Sequence, residues 1–410
     1  MHYGALMTAE LKKLLVLTST LPRWKGDTEP RFVEYLGHEL ARHFQVVILA
    51  PRCPGAARHE SFTEGGRAIT VHRFRYFLPA FESLAYDGGI MARLRRNPVR
   101  LLLVPFFLLA QLISIAKLHR LYRFDAIHAH WIIPQGLVAA LFMKLHRGAP
   151  PVLVTSHGGD LFALQGALLT RLKRWVLQKA SRVTVVSKAM REYAIKLGGN
   201  ENNVFVQSMG VDLRETFTPG DASHEREGLI YVGRLVEKKG VGYLVEAMVP
   251  LVRRFPDLQL TIIGQGPLRD SLAAHIRNAK LEANIQFLGS LPNIELPEQL
   301  RRAKIAVMPS VVAESGDQEG LGLVAIEAMG CGCAVVASDL PAIRDTVIDG
   351  ETGLMAQPAD SLGLAARIAS LLEDGALRAR LAESGRRHAL EHFDWRRVGD
   401  RYAELIQGML

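Results

Sequence analysis

The chain has 410 residues, 49% apolar and 22% charged, which gives room for two folded units of about 200 residues each and excludes a disordered polypeptide. Its three cysteines, Cys53, Cys331 and Cys333, exclude a disulfide framework and a four-ligand metal set and point to a reducing compartment. The net charge of +9 is lopsided: residues 1–213 carry 28 basic against 14 acidic side chains, residues 214–410 carry 22 against 27, so the first half is expected to meet a polyanion, whether membrane surface, nucleic acid or acidic substrate.

Residues 1–10 contain no basic segment leading into a long apolar one, and Leu14-Leu15-Val16-Leu17 is too short for a signal-peptide core, so a cytoplasmic location is expected. Residues 14–17 read instead as a buried strand, followed by a loop over 20–28 that contains Gly26, a helix phased on Phe32, Leu36, Leu40 and Phe44, and a second strand over 45–50. This β-loop-α-β order begins a doubly wound parallel sheet, whose ligands sit at the carboxyl edge of the strands.

Residues 93–123 couple four arginines, Arg93, Arg95, Arg96 and Arg100, to an apolar run over 101–116 that is interrupted by Pro105 and Gln111. At 16 residues the run falls short of the about 20 a transmembrane helix needs. It reads either as a buried helix or as a basic, apolar segment resting on a membrane. The charge asymmetry favours the second reading without deciding it.

Residues 125–131 form a short strand ending in polar groups, 136–143 a helix, and 152–156 a strand that runs into His157-Gly158-Gly159-Asp160. Taken alone His157 is either a hydrogen-bonded structural residue or, from its place at the end of a buried strand, a ligand contact. Strands follow at 183–187 and 204–206, then a Pro, Gly, Asp and Ser-rich linker over 218–227.

A second α/β series begins with a strand over 229–232, a helix over 243–255 and a strand over 258–263. Gly264-Gln265-Gly266 lacks the third glycine of a dinucleotide fingerprint, Arg269 standing in its place, so it reads as a strand-to-helix turn. Strands over 285–288, 305–308 and 334–337, an amphipathic segment over 362–372 and a helix over 395–410 complete the series. Between two of these strands, Gly320 and Gly322 leave the backbone open where a loop becomes a helix, a place suited to phosphate. Glu319 and Glu327 flank it at a spacing that along a helix is roughly 12 Å, and carboxylates accept well from sugar and ribose hydroxyls. Both glutamates can equally be solvated charges beside a helix start.

The segment 319–332, Glu-Gly-Leu-Gly-Leu-Val-Ala-Ile-Glu-Ala-Met-Gly-Cys-Gly, resembles the Glu-x7-Glu signature of the retaining glycosyltransferases of family 4. The resemblance extends to Gly233-Arg234-Leu235-Val236-Glu237-Lys238-Lys239-Gly240, to Asp349-Gly350-Glu351-Thr352-Gly353, to the His157-Gly158 pair and to Met209-Gly210-Val211-Asp212, where Met209 replaces the usual Asn. It implies an α/β GT-B fold, two Rossmann-like doubly wound parallel-sheet domains facing each other across a cleft. Residues 1–213 would bind acceptor and residues 214–394 the nucleotide sugar, with the helix 395–410 packing back on the first domain.

The resemblance further implies catalytic roles for His157, Arg234, Lys239 and Glu319 and donor binding by Gly26, Gly320, Gly322, Leu323 and Glu327, although the first loop lacks the family's paired glycines. Arg234 and Lys239 would hold the diphosphate, Glu319 the sugar, Glu327 the ribose, and His157 sugar or acceptor. No metal and no cofactor beyond the nucleotide-sugar co-substrate is expected. The implied reaction is retaining transfer to a glycan or lipid-linked acceptor in cell-surface polysaccharide, lipopolysaccharide or glycolipid synthesis, peripheral to a membrane's inner face. A sugar-nucleotide epimerase of the same architecture is the alternative. A non-catalytic nucleotide-binding or nucleic-acid-binding protein fits less well, since the basic half lacks an aromatic stacking platform.

Overall fold

The computed structural model describes residues 11–410 except 25, 28, 65, 66, 163 and 221–224. The reading of residues 1–10, and parts of the first loop and of the linker, lie outside the described residues.

Apolar runs such as Leu14-Leu15-Val16-Leu17 are hydrophobic on both faces, as a parallel strand covered by helices on both sides requires. In the first lobe they form β1 (Lys13–Leu17), β2 (Gln45–Pro51), β5 (Ala126–His130), β6 (Val152–Ser156), β7 (Arg182–Val185) and β8 (Val204–Val206), with a hairpin of β3 (His59–Glu64) and β4 (Arg67–Phe74) at one edge. The order is β3-β4-β2-β1-β5-β6-β7-β8, parallel throughout except for β3 against β4. Leu15 at the centre pairs with Val47 on one side and Ile127 on the other.

The second lobe repeats the plan with β9 (Glu227–Val232), β10 (Leu260–Ile263), β11 (Ile285–Gly289), β12 (Ala303–Met308), β13 (Ala334–Ser338) and β14 (Leu354–Ala356), in the order β11-β10-β9-β12-β13-β14 and all parallel. The chain is thus an α/β protein of two Rossmann-like parallel-sheet domains, the GT-B plan. The sequence reading did not anticipate the β3–β4 hairpin. His-Glu-Ser-Phe-Thr-Glu has no apolar run, because an edge hairpin is covered on one face only.

After Asp394 the chain crosses back. The helix Trp395–Gln407 lies on the helix Phe32–Leu40 of the first lobe, so close that a Cβ on Gly399 would sit 2.4 Å from Glu39 Cβ. Asp400 accepts from Arg42 at 2.8 Å and lies 3.0 Å from His43 Nε2. The bend itself is held by an isolated pairing of Val211 with Asp394 and by Gly210, where a Cβ would fall 2.4 Å from the Trp395 ring.

The apolar stretch, which the sequence leaves open between a buried helix and a segment on the surface, is buried on one side only. It is a 3₁₀ segment, Pro98–Leu103, continued by an α-helix, Val104–Tyr122, in which Phe107, Gln111, Ile115, Leu118 and His119 are buried while Leu102, Phe106, Leu109 and Ile113 are exposed. The two residues that seemed to shorten it do not interrupt its outer face. Pro105 occupies the first turn, where proline is tolerated, and Gln111 turns inward. Pro98–Tyr122 is long and apolar enough to cross a membrane by length and composition, but one of its sides is packed on the protein.

Candidate functional site

In a parallel sheet of this kind the loops leaving the carboxyl ends of the strands carry the ligand-facing groups. The loop after β9 bears Arg234 and Lys239. Gly240 closes it with φ +63°, and a Cβ there would lie 1.8 Å from the Pro309 carbonyl oxygen, so this loop and the one after β12 can approach only through a glycine. The Gly264-Gln265-Gly266 turn after β10 supports the same loop. Leu235 N donates to Gln265 O at 2.9 Å, and a Cβ on Gly266 would strike Leu235 O at 2.3 Å.

The two loops are joined by charge. Lys239 Nζ donates to Glu319 Oε2 at 2.6 Å, with the side chains only 16% and 14% exposed. Lys238 beside it donates to Asp317 Oδ1 at 3.0 Å and to Gln318 O at 3.2 Å. Burial alone would raise the Glu319 carboxyl, but the ammonium of Lys239, its hydrogen bond, Lys238 and the Gly320 N–H together hold it below the ordinary value.

Glu319 is followed by a turn, and the helix proper is Leu323–Gly330 with Gly322 as its N-cap at φ +82°. This corrects the expected spacing. Glu327 sits just over one turn into the helix and not two, because left-handed Gly322 stops the helix from reaching back to Glu319. Any Cβ at 322 would meet Ile343 Cδ1 at 2.8 Å and Met308 Cε at 2.9 Å. Glu327 itself is half-buried, and desolvation pushes its carboxyl up to about 7 against the pull of nearby Lys239.

In the first lobe His157 leaves the carboxyl end of β6. Asp160 shapes its loop by accepting from Ile132 N at 2.7 Å, Ser156 Oγ at 2.8 Å and His157 N at 3.2 Å. The His157 ring lies in an aromatic nest with Phe32 at 4.9 Å and Trp131 at 5.2 Å between centroids. Its Nε2 is 3.0 Å from Nδ1 of fully buried His130, the rings stacked at 14°. Burial lowers the His157 pKa to about 3, so the ring is neutral at physiological pH.

The lobes meet at glycines. A Cβ on Gly320 would lie 3.3 Å from the His157 carbonyl oxygen and 3.6 Å from Gly158 Cα, and one on Gly158 (φ +102°) 3.5 Å from Gly320 Cα. Lys188 and Asp345 form a second contact across the cleft, an ion pair at 3.5 Å.

Of the residues expected in the site, His157, Lys239, Glu319, Gly320, Gly322, Leu323 and Glu327 fall in one place. Arg234 lies on the same loop as Lys239, exposed, and its guanidinium makes no hydrogen bond or ion pair among the described residues. Gly26, with φ +84°, lies in the loop that follows β1; a Cβ there would meet nothing within 4 Å. Its loop is fixed by Arg23, which grips Asp27 through two nitrogens at 2.7 and 2.8 Å.

His130, Trp131, Phe32 and Lys238 were missed as site residues. The alternation in His128-Ala129-His130 does put both imidazoles on one face of β5, a signal for the first of these. No group of three or more metal-ligating side chains occurs among the described residues.

The model of glycosyl transferases group 1 matches residues 214–388, and that of the glycosyl transferase 4-like domain matches residues 30–210. A glycogen synthase of Mycobacterium tuberculosis is 30% identical over 400 residues, covering 92% of this chain and 89% of that protein. A GDP-mannose-dependent alpha-(1-6)-phosphatidylinositol monomannoside mannosyltransferase of Mycolicibacterium smegmatis is 28% identical, covering 96% and 98%. Among solved structures, a sucrose-phosphate synthase from Thermosynechococcus elongatus superposes with a TM-score of 0.76 at 22% identity, covering 97% of this chain and 99% of that one. Anabaena Alr3699/HepE, crystallised with UDP-glucose, gives 0.69 at 18%, covering 97% and 99%.

Proposed function

Since this chain belongs to the glycosyl transferases group 1, the family 4 glycosyltransferases of GT-B fold, we propose that it moves a sugar from a nucleoside-diphosphate sugar to a glycan or lipid-linked acceptor with retention at the anomeric carbon. The single observation that carries the reading is the Lys239–Glu319 pair, set one residue from the glycine contact at which His157 and Gly158 of the other lobe arrive. A cation, a hydroxyl acceptor and an open helix start are thereby held together beneath the acceptor lobe.

The proposed division of labour follows from that chemistry. Arg234 and Lys239 take the diphosphate with the helix start at Gly322 and Leu323, stabilising the charge that grows as the sugar departs. Glu319, held ionised, accepts from sugar hydroxyls, and Glu327 accepts from the ribose. His157, neutral, orients sugar or acceptor. The bond from the anomeric carbon to phosphate breaks and the bond to the acceptor oxygen forms on the same face, the acceptor's proton passing to the departing phosphate oxygen. No protein carboxylate serves as nucleophile, and no metal is required because the lysine and arginine carry the charge. Relatives named as phosphatidylinositol mannoside and phosphatidyl-myo-inositol mannosyltransferases, and a structural neighbour crystallised with UDP-glucose, support a nucleotide-sugar donor and a lipid-linked acceptor; the proposed setting is the inner face of a membrane, in glycolipid or cell-surface polysaccharide synthesis.

The test is thermal melting against a panel of nucleotide sugars, followed by NMR of the product made from the best donor. One donor is expected to raise the melting point, and the product to keep the donor's anomeric configuration with chelator present. An inverted product, or loss of turnover on chelation, refutes the retaining or the metal-independent part.

A further inference from the structure

Residues 88–124 hold seven lysines and arginines and no aspartate or glutamate. Over the same stretch the apolar side chains turn outward. Leu101 is 62% exposed, Leu102 71%, Phe106 49% and Leu109 56%. Helical spacing aligns Phe106, Leu109 and Ile113 on one stripe, while Phe107, Gln111, Ile115 and Leu118 line the opposite, buried side. The stripe continues into the loop after β4. The Phe77 ring stands 5.0 Å from Phe106 and 6.3 Å from Phe81, and Leu78 and Phe81 are 60% and 57% exposed. Isolated exposed leucines are ordinary, but a contiguous cluster marks a surface that something covers.

The chemistry of the fringe decides what. Exposed Arg95 and Arg96 precede the apolar stripe, and exposed Lys117 and Arg120 follow it on the same helix. A second copy placed face to face would oppose like charges, since a two-fold interface pairs a patch with itself. An anionic bilayer attracts the fringe and takes up the stripe together, as an interfacial helix does. Packing of the other side on the lobe's core excludes a span.

Topology places the stripe beside the cleft. The helix Val104–Tyr122 leads into the amino end of β5, so its first turn, with Leu102 and Phe106 around it, lies at the carboxyl edge of the sheet, the edge from which the Gly26 and His157 loops leave. Ion pairs link this region to the first of those loops. Arg93 pairs with Asp87, Asp87 accepts from Arg23 at 3.2 Å, and Arg23 grips Asp27 beside Gly26.

We propose that the exposed face of Leu78, Phe81, Leu101, Leu102, Phe106 and Leu109, with its arginine fringe, seats the first lobe on an anionic bilayer and holds the Gly26 side of the cleft against the lipid from which the acceptor comes. The inference rests on the reading above only in taking the acceptor to be lipid-linked. It deepens that reading by naming the surface and the orientation.

Flotation with phosphatidylcholine vesicles, with and without about one third phosphatidylglycerol, tests it on the full chain. Wild type is expected to float with the anionic vesicles, less so in high salt, and hardly at all with neutral ones. Phe106→Ser with Leu109→Ser, and separately Arg95→Ser with Arg96→Ser, are each expected to weaken vesicle binding at least about tenfold while leaving the nucleotide-sugar melting shift unchanged. Equal binding by these variants, failure of wild type to float, or a dimer in solution that Phe106→Ser dissolves without any vesicle binding would each overturn the proposal. If no nucleotide sugar shifts the melting of any form while flotation behaves as expected, the donor assignment fails and the membrane surface stands.

Discussion

On the proposed function, the Lys239–Glu319 pair couples stability to turnover at a single contact. Removing Lys239 strands a carboxylate that is only 14% exposed, which costs about 1–3 kcal/mol in stability and, on the proposed function, removes a charge that stabilises the departing diphosphate. Lys239→Ala is therefore expected to lower the melting point and cut turnover about a hundredfold or more. Adding Glu319→Gln should recover much of the stability and none of the turnover; restored turnover would contradict the phosphate role. Glu327 behaves in the opposite sense. Burial raises its carboxyl to about 7, so the folded state holds this proton more tightly than the unfolded chain does. Its stabilising effect is present at low pH and is lost as pH climbs from the unfolded value through about 7. Glu327→Gln should leave stability near pH 4 almost unchanged, raise it at pH 8 by up to about 3 kcal/mol, and weaken donor binding; denaturant titrations at the two pH values check the sign. His130 Nε2 is buried without a partner among the described residues. An orphaned acceptor is tolerated more readily than an orphaned N–H, so the His130 proton belongs on Nδ1, donated to His157 Nε2, and His157 carries its own proton on Nδ1. Ring-nitrogen NMR that finds the His157 proton on Nε2 would reverse this chain.

At the scale of elements, what decides the site is where helices begin. The helix Leu323–Gly330 starts where it does because Gly322 alone accepts φ +82° between Ile343 and Met308. Gly322→Ala is expected to cost about 1–3 kcal/mol from strain and overpacking and, by shifting the first turn, to abolish the melting shift produced by a nucleotide sugar. An unchanged shift would mean that the donor does not use this helix start. The motif was legible in the sequence as a glycine-rich loop entering a helix, but the place of Glu327 was not, because counting helical rise from Glu319 assumes a continuity that a left-handed residue breaks. The stretch 93–123 stayed undecided in the sequence for a related reason. Composition counted Pro105 and Gln111 as interruptions, whereas the fold puts one in the first turn and the other on the buried side, and only the face that each residue takes distinguishes a core helix from a surface one.

For the whole molecule, the lobes approach each other beside Glu319 and His157 through residues without side chains, Gly320 and Gly158. Gly320→Ala would place a Cβ 3.3 Å from the His157 carbonyl oxygen, tight enough to wedge the closed arrangement. Gly320 is buried, so the substitution is expected to cost about 1–3 kcal/mol in stability from overpacking and to lower turnover several-fold. Unaltered kinetics would show that the lobes need not approach so closely. The apolar strand runs, the repeated α/β order and the glycine-rich loop that enters a helix at 320–323 were all fixed by local sequence, since hydrophobic period and turn residues act within a few positions of themselves. Three things had to wait for the tertiary structure: the charge pairing of two loops 80 residues apart, the imidazole that His130 offers to His157 across two strands, and the outward turn of Phe106 and Leu109. Each depends on which segments become neighbours after the chain has doubled back, and proximity of that kind leaves no mark in the order of residues.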